Sequence, residues 1–326
     1  MSFYTMIVRL VSLGLLLGAA GNVIAQQPYP SRPVRYIVPF PPGGSTDPMA
    51  RMIATKLTER WGQSVIVDNR PGGNTIIGTD LLAKATPDGY TIGWAGPSLF
   101  STPSLIPQLP YDTLRDFVGV ATISKQRSVL VLHPSVPVNN LQELIALLKA
   151  KPGQLNFGSS GIGTNVHLAG ELFKIVTGTN IQHIPYKGSG PLSTDLIAGR
   201  VEMSFQVPIT VIPHINSGRL RPIAISGDTR LAPLPQVPTF SEAGLPDYGL
   251  MSVNAIIAPA RTPSPVLDRI ASEIADILAM PSTQEFMAKQ GAEPFVSTPE
   301  QTSALVKEEV ARYAKIIKEA GIKYQP

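Results

Sequence analysis

The chain has 326 residues, of which 43% are hydrophobic and 15% are charged. These proportions are typical of a folded globular protein and exclude a disordered chain, and the length allows two domains with separate cores. The formal net charge of +4 at pH 7 is small. Because no run of Lys or Arg and no nucleic-acid-binding motif stands out, we expect no nucleic-acid partner.

The first 25 residues have the order of a secretory signal peptide. "MSFYTMIVR" carries one positive charge, "LVSLGLLLGAAG" is apolar, and "NVIA" ends in the small residue Ala25 before "QQPYP". The apolar run is shorter than the ~20 residues that a bilayer requires. The chain also has no cysteine that could carry a lipid anchor or form a disulfide. We therefore predict cleavage after Ala25 and a soluble periplasmic protein that begins at Gln26.

After this segment, β-rich runs alternate with amphipathic helical stretches. In chain order, strands are predicted at "VRYIVPF", "SVIVDN", "YTIGWAG", "VGVATIS", "SVLVLH", "QLNFGSS", "IQHIPY", "VEMSFQ", "RPIAIS" and "NAIIAPA". Helices are predicted at "PMARMIATKLTERW", "LQELIALLKA", "NVHLAGELFKIVTG" and "PLSTDLIAGR", with two more near the C-terminus. This alternation predicts an α/β fold with parallel sheets that helices cover on both faces.

Two helix starts carry a capping-box pattern. Asn140 is followed three residues later by Glu143, and Thr298 is followed by Gln301 with Pro299 between them. Each pattern predicts a helix that begins at the next residue.

Two extended segments are predicted to connect the domains. "VATISKQRSVLVLHPSVP" consists of two strands with a charged break at residues 125–127, and "LPDYGLMSVNAIIAPARTPSP" leads into the C-terminal helices. A chain that leaves one α/β domain and later returns forms a discontinuous domain. We predict a first lobe of residues 26–127 plus 248–326 and a second lobe of residues 128–247. The two-strand hinge between them would let the lobes close on a ligand.

Three loops combine a strand end, nearby glycines and a helix start: "PFPPGGSTDP", "NRPGGNTIIG" and "FGSSGIGTNVHL". Glycine leaves backbone N–H groups uncovered, and a helix N-terminus adds free donors and partial positive charge. Such a loop can bind an oxyanion, although each one alone is also typical of an ordinary turn. Similar loops in both predicted lobes favour a ligand cradle at the strand ends. Asp47 is interpreted as a helix N-cap or as an acceptor that faces the ligand.

Enzymatic and cofactor motifs do not match in detail. "PPGGSTD" lacks the lysine of a P-loop, and the third glycine of a dinucleotide-binding pattern is replaced by Val166. No Gly-x-Ser-x-Gly elbow surrounds Ser159 or Ser160. The four histidines are far apart in the sequence. We therefore predict no catalytic residue, no metal site and no cofactor.

Taken together, these motifs resemble the Bug family, the extracytoplasmic solute-binding proteins of tripartite tricarboxylate transporters. The resemblance rests on "VPFPPGGSTDPMAR", "VDNRPGGNTIIGTDLLAKATPDGYTI", "LNFGSSGIGTNVHLAGELFK", "HIPYKGSGPLSTDLIAGRVEMSF", "LPQVPTFSEAGLP" and "IIAPARTPSPVLDRI". It implies a two-lobed periplasmic binding protein with parallel-rich sheets in each lobe and a small organic carboxylate in the cleft. It also implies that membrane subunits of such a transporter are partners. We expect the protein to be a monomer.

The resemblance also implies which residues contact the ligand. In the first lobe they are Phe40, Pro42, Gly43, Gly44, Thr46 and Asp47. In the second lobe they are Ser159, Gly161, Gly163 and Thr164, with Tyr186 and Lys187 at the border of the cleft. Trp94 is interpreted as a wall of the cleft or as a core residue.

Gln206 is a further cleft residue and departs from the family pattern. Many members carry an acidic residue after the phenylalanine of "VEMSF", whereas this chain has Gln206. A desolvated ammonium group prefers a carboxylate partner. This departure predicts that acids without an amine bind more tightly than amino acids.

Two other functions remain open at this stage. The same site would serve an extracytoplasmic sensor that presents its ligand to a membrane kinase. An exported hydrolase or isomerase would use Asp47 or Asp195 together with a histidine.

Overall fold

The computed structural model describes residues 29–44, 46–246 and 248–323. The predicted signal peptide and its cleavage point lie outside these residues. The described residues from Arg32 onward form one compact unit. Within the described ranges, no helix combines the length and the apolar character needed to cross a bilayer.

The described residues contain eleven strands. They are β1 Val34–Val38, β2 Val65–Asn69, β3 Thr91–Ala95, β4 Phe117–Gln126, β5 Val129–Leu132, β6 Asn156–Ser159, β7 Gln182–Pro185, β8 Met203–Gln206, β9 Arg221–Ile225, β10 Ser252–Pro259 and β11 Ala292–Pro294. Every strand predicted from the sequence is present, and only the short strand β11 was not predicted.

The same residues contain ten helices. They are α1 Asp47–Trp61, α2 Ile76–Ala83, α3 Pro97–Leu105, α4 Leu141–Ala150, α5 Asn165–Thr177, α6 Ser189–Ile197, α7 Pro208–Asn216, α8 Ser264–Ala279, α9 Pro281–Lys289 and α10 Pro299–Glu319. The predicted helices are confirmed, including α2 after the loop "NRPGGNTIIG", while α3, α7 and α9 were not predicted.

The strands form two sheets, and each sheet is the basis of one lobe. The first lobe contains the six-stranded sheet in the order β11-β4-β10-β3-β1-β2, and the second contains the five-stranded sheet in the order β7-β6-β8-β5-β9. Strands β1 to β3 are parallel, and β6 is parallel to β7 and β8. The connecting strands β4, β5 and β10 pair antiparallel with their neighbours. Both sheets are therefore mixed, because the strands that carry the chain between lobes enter in the opposite direction.

Arg127 lies at the first connection between the two sheets. Strand β4 ends one residue before Arg127, and β5 begins two residues after it. The guanidinium is buried, pairs with Glu293 of β11 and donates to the carbonyl and hydroxyl oxygens of Thr229. This arginine therefore contacts groups from both lobes. The exact lobe boundaries given above remain a prediction.

The two predicted capping boxes differ in the structure. At α10, the Thr298 hydroxyl accepts from the Gln301 N–H, and the Gln301 side chain accepts in return, so the full box forms. At α4, Asn140 accepts from the Glu143 N–H at 2.9 Å. However, Glu143 accepts from the N–H of Asn139 and not from that of Asn140. The reciprocal half of the α4 box is therefore shifted by one residue.

The two lobes share one continuous apolar core behind the cleft. Leu99 and Phe100 of α3 belong to the same buried cluster as Leu168 and Phe173 of α5. Nearby, the Ser101 hydroxyl of α3 donates to the carbonyl oxygen of Gly163 at 2.8 Å. These contacts fix the start of α3 close to the glycine loop of the second lobe.

Candidate ligand-binding site

A cavity of about 360 Å³ lies between the ends of the two sheets. Its wall in the first lobe consists of Phe40, Pro41, Pro42, Gly43, Gly44, Thr46, Trp94, Gly96, Pro97, Ser98, Gln126, Ser252 and Asn254. Its wall in the second lobe consists of Ser160, Thr164, Asn165, Val166, Lys187, Gly188, Ser189, Gly190, Pro191, Gln206, Val207 and Thr210. The volume is in the range of small-molecule sites, roughly 300–1,000 Å³.

The N-terminal ends of five helices border this cavity. Their N-cap residues are Thr46 for α1, Gly96 for α3, Thr164 for α5, Gly188 for α6 and Val207 for α7, and all five line the cavity. The first turn of a helix has N–H groups without intrahelical acceptors and carries a partial positive charge. Five such ends around one space create a positive potential without requiring several basic side chains. This arrangement favours a bound anion.

The charged side chains of the wall agree with this potential. Within the described part of the chain, no acidic residue lines the cavity, and Lys187 is its one basic residue. Lys187 is exposed. Among the described residues of the wall, an anion entering the cavity therefore meets donors and one cation, and no carboxylate opposes it.

Asp47 shapes the first glycine loop but is not part of the cavity wall. Its buried carboxylate accepts from the Gly43 N–H at 3.1 Å, from Arg51 Nε at 2.8 Å and from Asn69 Nδ2 at 3.1 Å. Burial would raise the pKa of Asp47, but these three hydrogen bonds outweigh it and lower the pKa below the ordinary range. Thr46 is the N-cap, so the N-cap interpretation of Asp47 was wrong. With these contacts, Asp47 orients Gly43, whose φ of 76° favours glycine.

Two stacked histidines support the glycine loop of the second lobe. His167 and His183 have ring centroids 3.9 Å apart. The Gly163 N–H donates to His167 Nδ1 at 3.1 Å, and His183 Nε2 lies 2.6 Å from the Ser159 hydroxyl. Ser159 in turn accepts from the Gly161 N–H at 3.2 Å. The N–H groups of Gly161 and Gly163 are therefore engaged within the loop.

The Ser159–His183 contact differs from a catalytic dyad. Ser159 is fully buried and is not part of the cavity wall, so substrate in the cavity would meet Ser160 and not Ser159. A catalytic pair also needs a third group that orients the histidine. The carboxylates proposed for a hydrolase have other partners: Asp195 binds Tyr186 and Arg200, and Asp47 binds the groups given above.

The polar side chains of the cavity wall are mostly paired. Gln206 donates to the Ser204 hydroxyl at 3.2 Å and accepts from the Thr210 hydroxyl at 3.2 Å. Asn254 Nδ2 donates to the Ser124 hydroxyl at 3.1 Å. Asn165 differs, because both polar atoms of its buried amide have no hydrogen-bond partner among the described residues.

The structure brings together only part of the predicted site. The predicted residues that line the cavity are Phe40, Pro42, Gly43, Gly44, Thr46, Thr164, Lys187 and Gln206. Those outside the wall are Asp47, Ser159, Gly161, Gly163 and Tyr186. Trp94 is both buried and part of the wall. Ligand contact by any of these residues remains a prediction.

The sequence analysis missed the wall supplied by α3, α7 and the start of α6. Both α3 and α7 begin with a proline, Pro97 and Pro208, that is separated from the preceding strand by a single residue. Proline is favoured at the first position of a helix, so this pattern could have indicated two helix starts. No local pattern indicates that Asn165 would be buried without a partner.

Comparison with known proteins decides the family. Residues 49–322 match the family described as "Tripartite tricarboxylate transporter family receptor". The chain belongs to this receptor family. Among the curated members similar to it is Protein BugT of Bordetella pertussis, which is 39% identical over 318 residues, 96% of this chain and 98% of the relative. The resemblance to Bug proteins seen in the sequence is therefore confirmed.

Solved structures of receptor-family proteins confirm the two-lobed fold. Rpa4515 of R. palustris with adipate is similar with a TM-score of 0.84 and 36% identity, over 90% of this chain and 99% of that one. MatC from Rhodopseudomonas palustris with bound malate is similar with a TM-score of 0.78 and 26% identity, over 89% of this chain and 100% of that one. The receptor family consists of solute-binding proteins and not of enzymes.

Proposed function

We propose that this receptor captures a small organic carboxylate in the cavity between its lobes and presents it to the membrane subunits of a tripartite tricarboxylate transporter. The ligands named for the two similar structures, adipate and malate, are both dicarboxylates. This shared chemistry supports a carboxylate ligand for the present chain.

The observation that carries the proposal is the set of five helix N-termini around a wall whose described residues include no acidic side chain. A carboxylate is stabilised by backbone N–H groups and by the positive ends of helix dipoles. Lys187 at the exposed side of the wall would attract a second carboxylate. The apolar surfaces of Phe40, Trp94 and Val207 would contact the carbon chain between the two ends.

The location and the partners complete the proposal. The family consists of extracytoplasmic receptors, so we place this chain in the periplasm after removal of residues 1–25. We further propose that it acts as a monomer and closes its lobes on the ligand before it meets the membrane subunits.

A binding screen of the purified protein tests this function. Thermal unfolding is followed with and without adipate, malate, succinate, citrate, benzoate and aspartate. A ligand at 100 times its Kd should stabilise the protein by about 2.7 kcal/mol, which is easily detected. We expect at least one amine-free acid to shift the midpoint and to be recovered chemically unchanged. No shift with any carboxylate, or conversion of the bound acid, would contradict the proposal. Measuring uptake of the bound acid by a strain that lacks the gene for this protein then separates transport from sensing.

A further inference from the structure

Arg127 lies where the chain crosses between the lobes, next to a residue of the cavity wall. The wall residue Gln126 ends β4 in the first lobe, and Val129 begins β5 in the second. Val129 is paired with Gln206, which belongs to the opposite wall. Only Arg127 and Ser128 separate the two strands, so a small change of backbone angle at this crossing changes the distance between the two walls.

The side chain of Arg127 joins the two lobes at this crossing. It is 6% exposed and pairs with Glu293 of β11, a strand of the first sheet. It also donates to the carbonyl oxygen of Thr229 and, at 2.8 Å, to the hydroxyl of the same residue, in the loop that follows β9 of the second sheet. A Cβ at Gly227 would lie 3.2 Å from Arg127 Nε, so this loop packs closely on the guanidinium. Groups from both lobes therefore hold the guanidinium at once.

The chemistry of arginine makes this contact sensitive to the arrangement of the lobes. A guanidinium carries its N–H donors in one rigid plane, so its acceptors must keep a defined geometry around it. A buried charge that loses an acceptor is costly to leave in place. Rotation of one lobe against the other would change the distance between Glu293 and Thr229. The contact with both therefore opposes that rotation and favours the arrangement in which both lobes line the cavity.

We propose that Arg127 is a positioning residue that, through Glu293 and Thr229, holds the two walls of the cavity at the spacing required for ligand capture. None of these three described residues lines the cavity, so they act on affinity without touching the ligand. This inference rests on the proposed binding of a carboxylate between the lobes. It goes further by naming the contact that sets the lobe arrangement. Without that contact, a smaller fraction of ligand-free molecules is ready to bind, and the apparent Kd rises by the inverse of that fraction.

Glu293→Gln tests the proposal by removing the ion pair at its more exposed end. The side chain of Glu293 is 48% exposed, so the substitution leaves the buried core in place. Calorimetric titration with the tightest-binding acid of the screen compares the variant with the wild type. We expect the Kd to rise about fivefold or more, which corresponds to a fall of the binding-competent fraction to about one fifth.

The distance between the lobes provides a second measurement that needs no ligand. The chain contains no cysteine, so Thr55→Cys and Ala198→Cys add two unique sites for spin labels. Both residues are exposed, one on α1 of the first lobe and the other at the end of α6 in the second. In the ligand-free protein, we expect Glu293→Gln to broaden the distance distribution measured by double electron–electron resonance and to extend it to longer distances.

Two further variants complete the design. Glu285→Gln is the matched control, because it also replaces a carboxylate that pairs with a basic side chain, Lys289 on the same helix. It should keep the Kd and the distance distribution of the wild type. Thr229→Val is the second test, because Thr229 is exposed and loses only its hydroxyl acceptor. It should show the effects of Glu293→Gln at smaller size. Urea unfolding checks that each variant is folded.

Each outcome bears on a different claim. Wild-type affinity and wild-type distances in both Glu293→Gln and Thr229→Val overturn the inference, while carboxylate binding stands. A raised Kd with unchanged distances also overturns it, because affinity would then be lost without lobe movement. If no acid binds to the wild type, the proposed function fails, and the distances in the ligand-free variants still test whether Arg127 holds the lobes.

Discussion

The stacked pair His167 and His183 predicts a specific dependence of stability on pH. Burial is the largest cause of the low pKa of both side chains, and nearby positive charge adds to it: His183 and Lys174 for His167, and Lys174 for His183. The pKa of His167 falls to about 3 and that of His183 to about 4. The charged groups around the pair are Glu171, whose Oε1 lies 3.8 Å from His167 Nε2, and Lys174, which pairs with Glu171 at 2.7 Å.

The sign of the effect follows from proton binding in the two states. In the unfolded chain each histidine has its ordinary pKa near 6.5 and becomes protonated between pH 7 and pH 5. In the folded protein both remain neutral over this range, so acidification favours the unfolded state. Integration over the two pH units gives a loss of about 2 kcal/mol for each histidine, or about 4 kcal/mol for the pair. The stability contributed by the pair is thus present above pH 6.5 and is lost as the pH falls.

Urea unfolding at pH 7, 6 and 5 measures this loss in the wild type and in the double variant His167→Asn, His183→Gln. Asn can keep the acceptor position of Nδ1, and the amide of Gln can replace Nε2 as either donor or acceptor to Ser159, but neither variant side chain titrates. We expect the free energy of unfolding to decrease by about 4 kcal/mol more in the wild type than in the variant between pH 7 and pH 5. Parallel pH profiles of the two proteins would refute the reasoning.

Two further predictions concern the cavity wall. Gly44→Val should weaken binding of the tightest acid at least tenfold, while the free energy of unfolding changes by less than about 0.5 kcal/mol, because a Cβ at Gly44 meets only the Pro41 carbonyl oxygen at 3.5 Å. Unchanged affinity would show that this loop does not contact the ligand. Lys187→Met should weaken dicarboxylates a few-fold at low salt and monocarboxylates less, because the side chain is exposed and screened. Equal effects on both ligand classes at all salt concentrations would contradict the role of Lys187.

Much of the fold could be predicted from the sequence because its signals are local. Short β-rich runs are bounded by Gly and Pro, and α4 and α10 begin at clear capping residues. The missed helices α3, α7 and α9 have only 9 residues each, and α3 and α7 contain internal prolines at Pro103 and Pro213. Strand β11 has 3 residues and is held by pairing with β4. Such pairing depends on residues far apart in the sequence. The antiparallel pairing of the connecting strands β4, β5 and β10 depends on distant residues in the same way.

The candidate site could also be predicted only in part from the sequence. The glycine loop of the first lobe was visible as a pattern, and Gly43, Gly44 and Thr46 do line the cavity. In the glycine loop of the second lobe, the Gly163 N–H donates a hydrogen bond to His167. A Cβ at Gly163 would lie 2.8 Å from Ser101 Oγ of the other lobe. Glycine is needed at this position because the two lobes approach each other closely there. A glycine that contacts a ligand would give the same sequence pattern. Only the assembled structure distinguishes these two roles.

The most direct test of the account is a crystal structure of the protein with the tightest-binding acid of the screen. The central claim is that helix N-termini from both lobes hold a carboxylate in the cavity. We predict ligand oxygens about 2.7–3.2 Å from backbone N–H groups at the start of α1 or its glycine loop and at the start of α5, α6 or α7. An acid held mainly by basic side chains, or bound outside the cavity, would contradict the claim.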